Sequence, residues 1–162
     1  MNSMTLNQKT ETAKRLCSAR HKAEVYAQLE NVTESGVRAI ARELGKQEGH
    51  TYRILNSLVE SGLAFKSGYR THINKQAFAR IRELPLTKIQ LTLLSNEDII
   101  RVVEAVQSGA NTTKAISEVL DMDLSKTCQV VFRASSAGLL KRGPNQQLTA
   151  VDIDWQHLSS IN

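Results

Sequence analysis

Glu43-Leu44-Gly45-Lys46-Gln47-Glu48-Gly49-His50-Thr51-Tyr52-Arg53-Ile54-Leu55-Asn56-Ser57-Leu58-Val59-Glu60-Ser61-Gly62-Leu63 is the stretch that decides how the chain folds. Thr51, Ile54, Leu55 and Leu58 recur at the i, i+3, i+4, i+7 spacing of one helical face, so a helix is expected over Glu48–Ser61. Gly45 before it and Gly62 after it stand where helices stop. Working outward, Gly36–Leu44 reads as a shorter helix with Val37, Ile40, Ala41 and Leu44 on one side and Ser35 as its N-cap. Further upstream, Val25, Tyr26 and Leu29 mark the apolar stripe of an opening helix. Downstream the period changes to two. Leu63, Phe65, Thr71 and Ile73 are expected to face the core, and Ala64, Lys66, Arg70 and His72 the solvent, around a tight turn at Ser67-Gly68.

The pattern occurs twice. At an offset of 76 residues Ala39-Ile40 meets Ala115-Ile116, Leu44 meets Leu120, and Thr51 meets Thr127. Ile54-Leu55 falls on Val130-Val131, Gly62-Leu63 on Gly138-Leu139, and Lys66 on Arg142. The matches concentrate at apolar and turn positions, which two copies keep when they share a fold and their surfaces diverge. In the second copy Ser95 is expected to cap Ile99–Gln107. Helices follow at Thr113–Leu120 and Ser125–Ala137, then a hairpin over Leu139–Ile153 around Gly143-Pro144-Asn145. Lys9–Arg20 reads as helical, with Ala13, Leu16 and Cys17 along one side. Lys75–Leu84 reads as a short helix with Phe78 and Ile81 inward. Ile89-Gln90-Leu91-Thr92-Leu93 alternates as a half-buried strand does. Trp155 is expected to anchor the C-terminal tail. The expected fold is mainly α with small β-hairpins (α+β). It comprises an N-terminal helical arm (1–20), a first module (21–84), a linker or strand (85–94) and a second module (95–162).

Composition narrows the function. The chain has 162 residues, 41% hydrophobic and 23% charged, as in ordinary globular proteins. Aromatics are only 4%, so holding single strands by base stacking is not expected. Residues 1–84 carry 14 Lys/Arg against 8 Asp/Glu, a net of +6, whereas residues 85–162 carry 7 against 8, a net of −1. A surface for a polyanion is therefore sought in the first half. No apolar run reaches the roughly 18 residues of a membrane span, and Met1–Gln8 lacks the apolar region of a secretory signal. Cys17 and Cys128 are far apart with no CxxC spacing, which points to a reduced, cytoplasmic setting. His21, His50, His72 and His157 do not pair at ligand spacing, so no metal is expected. No phosphate-binding glycine loop, GxSxG or HExxH occurs. Neither a cofactor, a catalytic residue nor an enzymatic activity is expected.

Three helices followed by a two-stranded hairpin form the winged helix-turn-helix arrangement, here expected in tandem. On the segment quoted above, the first copy resembles the DNA-binding module of IclR-type transcription regulators, and more loosely MarR-type winged helices. The shared features are an aromatic followed by Arg (Tyr52-Arg53), two aliphatics (Ile54-Leu55), then Leu58-Val59-Glu60 and Gly62-Leu63. The likeness covers roughly residues 21–75, and the second copy looks like a degenerate version. It implies that the helix from Glu48 enters the major groove of a duplex and that the wing lies on the flanking backbone. Lys46 departs from the family by occupying a turn position that is usually apolar. No large effector-binding domain follows, so no small-molecule effector is implied.

The residues themselves make the same surface. A helix that buries Thr51, Ile54, Leu55 and Leu58 turns Gln47, Gly49, His50, Arg53 and Asn56 outward. Its N-terminus presents free N–H groups to phosphate, and Gly49 permits close approach. Arg53 suits guanine, phosphate or an intramolecular salt bridge, while Gln47 and Asn56 suit adenine. Tyr52 reads equally as a core residue or a phosphate donor, and His50 as a surface residue of the same end. Glu48 either accepts from a cytosine amino group or caps the helix. Lys46 adds a backbone contact. Lys66 and Arg70 flank the wing tip, placed for phosphate or minor-groove contact unless the hairpin is merely solvated. In the second copy Ser125, Lys126, Gln129 and Arg133 occupy the equivalent helix, with Lys141 and Arg142 on its hairpin. Asp121 and Asp123 precede that helix and oppose phosphate, so weaker DNA contact or a protein contact is expected there. The basic arm, Lys9, Lys14, Arg15, Arg20 and Lys22, reads either as phosphate-binding or as the polar face of a dimerisation helix, since Leu16 and Cys17 need cover. The expectation is a nucleoid-associated, homodimeric transcriptional regulator of double-stranded DNA. The alternatives are a tandem winged-helix scaffold of the chromosome-segregation kind and a plasmid or phage replication-partition protein.

Overall fold

A computed structural model describes residues 3–32 and 36–161. The chain is mainly helical with two small antiparallel hairpins. It divides into two compact units, Arg15–Pro85 with Ser159–Asn162, and Met1–Lys14 with Leu86–Leu158. Helix α1 (Leu6–Val25) is shared between them at Lys14/Arg15. Where the sequence separates an arm ending at residue 20 from an opening helix, a single helix of 20 residues runs through. Val25 ends it exposed, Tyr26 is half-buried, and Leu29 is buried in a 3-10 turn over Ala27–Asn31.

In the 15–85 unit, α2 (Val37–Leu44) and α3 (Glu48–Glu60) stand where periodicity puts them. Ser35, the expected cap of α2, lies outside the described residues; Gly36 holds the cap position. The turn between the helices is made by Gly45, whose φ of 65° lies in the left-handed region. There the Gly45 N–H reaches the Arg42 carbonyl and the Lys46 N–H the Ala41 carbonyl, satisfying the last carbonyls of α2. Thr51, Ile54, Leu55 and Leu58 are buried as expected. The buried Thr51 hydroxyl donates to the Gln47 carbonyl at 2.9 Å, so its burial leaves no polar group unpaired.

Strands β1 (Ala64–Ser67) and β2 (Arg70–Ile73) pair antiparallel, Ala64 with Ile73, Phe65 with His72, Lys66 with Thr71 and Ser67 with Arg70. This register corrects the expected one. Leu63 and Ala64 are both buried as the chain leaves α3, and strict alternation starts at Ala64. Phe65 is thereby turned outward, 49% exposed, rather than into the core. The tight turn is Gly68-Tyr69 rather than Ser67-Gly68. Helix α4 (Lys75–Arg82) follows, capped by Asn74, whose side chain accepts from the Ala77 N–H at 3.1 Å, and it buries Ala77, Phe78 and Ile81.

The 86–158 unit opens with a second correction. Residues 88–94, expected as a strand, form helix α5 (Lys88–Leu94). Thr87 and Gln90 close a capping box that satisfies two free N–H groups, and Leu91 and Leu94 face inward one turn apart. Ser95 closes α5, its hydroxyl donating to the Leu91 carbonyl, so the cap of α6 (Glu97–Gln107) is Asn96 instead. Then come α7 (Thr113–Leu120), α8 (Leu124–Ser136), β3 (Leu140–Arg142) and β4 (Leu148–Ala150). α7, α8 and β3 begin 76 residues after α2, α3 and β1, so the repeat holds in structure as far as the first strand. Thr127 repeats Thr51, fully buried with its hydroxyl on the Asp123 carbonyl at 2.9 Å. Gly138 repeats Gly62 at φ 81° against 79°. Beyond β3 a 3-10 turn at Pro144–Gln146 delays the return strand, and the correspondence lapses. Helix α9 (Trp155–Ser160) ends the chain's regular structure. Trp155 is only half-buried; Leu158 and Ile161 are the buried anchors. Arg15 donates to the Ser159 and Ile161 carbonyls, and burial holds its guanidinium below the ordinary arginine value. Among the described residues, no helix is long and apolar enough to cross a membrane.

Candidate nucleic-acid interface

Helix α3 packs against α2 and β1, so the helix pair and the hairpin form one piece. Gly49, Arg53 and Asn56 fall at i, i+4 and i+7, opposite the buried set, and all three are exposed. Tyr52 lies beside them, 56% exposed, which removes its core reading. Lys46, Gln47 and His50 are exposed at the same end. Gln47 holds the cap position in extended backbone with no side-chain bond to the helix, so no side chain at that position occupies the N–H groups of the first turn. Among the described residues Lys46, Arg53, Lys66 and Arg70 make no ion pair, so Arg53 has no intramolecular carboxylate.

Glu48 neither stands free nor caps α3. Arg38 donates to it from α2 at 3.2 Å, which cancels the one negative charge at this helix end. Arg42 lies one helical turn beyond Arg38 and is likewise exposed. Neither arginine is among the residues read from the sequence as candidates, although their i, i+4 spacing on the outward side of α2 was visible there. The pairing to Glu48 was not visible, because it joins two helices across a turn.

On the hairpin, the pairing places Lys66 on the face shared with Thr71, and Arg70 on the face shared with His72. The two cations are exposed yet belong to opposite faces of the pleat. Phe65 and His72 stack at 5.2 Å between ring centroids, 18° from parallel. Tyr69 projects from the tip, fully exposed. Neither aromatic feature was anticipated; both follow from the register.

The basic arm is otherwise engaged. Lys9 pairs with Glu104, Lys14 with Glu11, Arg20 with Glu24, and Lys22 reaches the Ser57 carbonyl and the Ser61 hydroxyl. Leu16 is fully buried within a single chain and needs no second one to cover it; Cys17 is half-buried.

The corresponding helix of the other unit differs in kind. Asp123 caps α8, accepting from the Lys126 N–H, and the Lys126 ammonium is paired with Asp98 at 3.2 Å. Ser125, Gln129, Lys141 and Arg142 are exposed. Where α3 carries Glu48, Tyr52 and Asn56, α8 carries Leu124, Cys128 and Phe132. A cleft of about 210 Å³ lined by Arg15, Val59, Glu60, Ser61 and Gly62 is smaller than sites that enclose a small-molecule effector. Among the described residues no cluster of His, Cys, Asp and Glu is arranged to hold a metal ion. No family model, curated protein or solved structure matches the chain.

Proposed function

We propose that this protein binds double-stranded DNA and regulates transcription by occupying its site. In this reading the 15–85 unit acts as a winged helix-turn-helix of the IclR-like kind. α3 enters the major groove with Arg53 and Asn56 toward base edges, and Lys46 with the first-turn N–H groups holds phosphate. The hairpin carries Lys66 and Arg70 to the flanking backbone. The observation that carries the reading is the outward face of α3. It has an arginine without a carboxylate partner and a helix end with no side-chain cap. It also lies in the half of the chain that holds all the surplus positive charge. The other unit has a capped helix end and a neutralised Lys126, so its part in duplex contact is minor.

Fluorescence-polarisation titration of random and genomic duplexes at two salt concentrations tests this. Binding should weaken steeply with salt. Replacing Arg53 and Arg70 together by alanine should cost at least about tenfold in affinity, and replacing Lys126 and Arg142 together much less. No duplex binding at low salt would end the proposal. Sequencing genomic fragments enriched by the protein would then locate its sites relative to promoters.

A further inference from the structure

We infer that the outward face of α8 is the seat of a second copy of this chain, packed antiparallel about a two-fold axis. Leu124, Cys128 and Phe132 fall at i, i+4 and i+8 and line one side of the helix. Leu124 is 51% and Phe132 72% exposed, and Cys128 is a free, exposed thiol. The fold does not demand this stripe, since the matching positions of α3 are Glu48, Tyr52 and Asn56 and that helix folds in the same way. An exposed apolar row beyond the needs of folding marks a contact surface.

The pattern itself selects the occupant. The row is symmetric about Cys128, so an antiparallel neighbour lays its Phe132 on Leu124, its Leu124 on Phe132, and its Cys128 beside Cys128. That reciprocity is what an isologous two-fold interface requires. Charge agrees with it. In this register Asp123, at the start of α8, falls opposite Arg133 of the second copy, and Arg133 has no ion pair among the described residues. A parallel pairing would set Asp123 against Asp123. A nucleic acid is a poor occupant because Asp121 and Asp123 repel phosphate at this end.

The inference does not rest on duplex binding and is tested without DNA, on the full chain under reducing conditions. Sedimentation velocity across a concentration series should show a monomer–dimer equilibrium. Phe132→Asp should weaken self-association at least about tenfold, with an unchanged circular-dichroism spectrum because the side chain is largely in solvent. Arg133→Glu should weaken it as well. A short bis-maleimide should link two chains covalently. The link should persist in Cys17→Ser and vanish in Cys128→Ser, and the unsubstituted chain provides this readout even if a variant folds poorly. A monomer at every concentration would overturn the inference. So would a link running through Cys17, or a dimer indifferent to Phe132→Asp.

Discussion

At the scale of single residues, Glu48 shows how one carboxylate is made compatible with a polyanion. Arg38 holds it at 3.2 Å, so the first turn of α3 presents a neutral pair instead of a negative charge. Both side chains are largely in solvent, so the pair adds little to stability. Its consequence lies in binding. Glu48→Gln frees Arg38 for phosphate and should tighten duplex affinity severalfold, and Arg38→Ala should weaken it; polarisation at fixed salt reads both. Phe65 and Leu63 make a second residue-scale contrast. Leu63 is fully buried, so Leu63→Ala should cost about 2–5 kcal/mol. Phe65→Ala should cost no more than about 1 kcal/mol, since it loses a half-exposed stack on His72. Urea unfolding of the two variants checks the strand register, and an equal loss in both would contradict it.

At the scale of elements, the turns between helices carry the clearest comparison. Gly45 and Asp121 occupy the same place, at φ 65° and 50°. An L side chain there is strained, though Asp tolerates it better than most. Asp121→Gly should therefore raise stability by about 0.5–1 kcal/mol and Gly45→Ala should lower it by about 1 kcal/mol, both measurable by thermal or urea unfolding. Helix α5 illustrates where element-level reading goes astray. Ile89, Leu91 and Leu93 alternate like a strand, yet Leu91 and Leu94 also fit one helical turn. Seven residues are too few for periodicity to choose. The deciding signal, Thr87-Lys88-Ile89-Gln90, is a capping-box pattern present in the sequence. Thr87→Ala should accordingly cost about 1 kcal/mol. The correction at Ser95 has the same origin, since a residue that closes one helix was read as opening the next.

At the scale of the whole molecule, charge and repeat run on separate lines. Both copies keep the same buried threonine, the same glycine after the third helix and the same first strand, while their surfaces have parted. One copy keeps unpaired cations around α3; the other caps its helix with Asp123, pairs Lys126 with Asp98 and exposes Leu124 and Phe132. If Lys46, Arg53, Lys66 and Arg70 each meet a phosphate, the logarithm of duplex affinity should fall with the logarithm of salt with a slope of about −3 to −4. Removing one of them should reduce that slope by about 1. A shallow slope unaffected by these substitutions would remove those four residues from the interface.

Sequence alone determined the positions of α2, α3, α4, α7 and α8, their glycine stops and the offset of 76 residues between the copies. It could do so because burying one face of a helix writes a period into neighbouring residues. It also exposed the charge asymmetry, which is a matter of counting. Tertiary structure decided what depends on residues distant in the chain. The hairpin register turned Phe65 outward and parted Lys66 from Arg70. The turn between α2 and α3 brought Arg38 to Glu48, and packing within one chain covered Leu16 while leaving Phe132 in solvent. Those outcomes follow from which surfaces meet, and no local spacing records that.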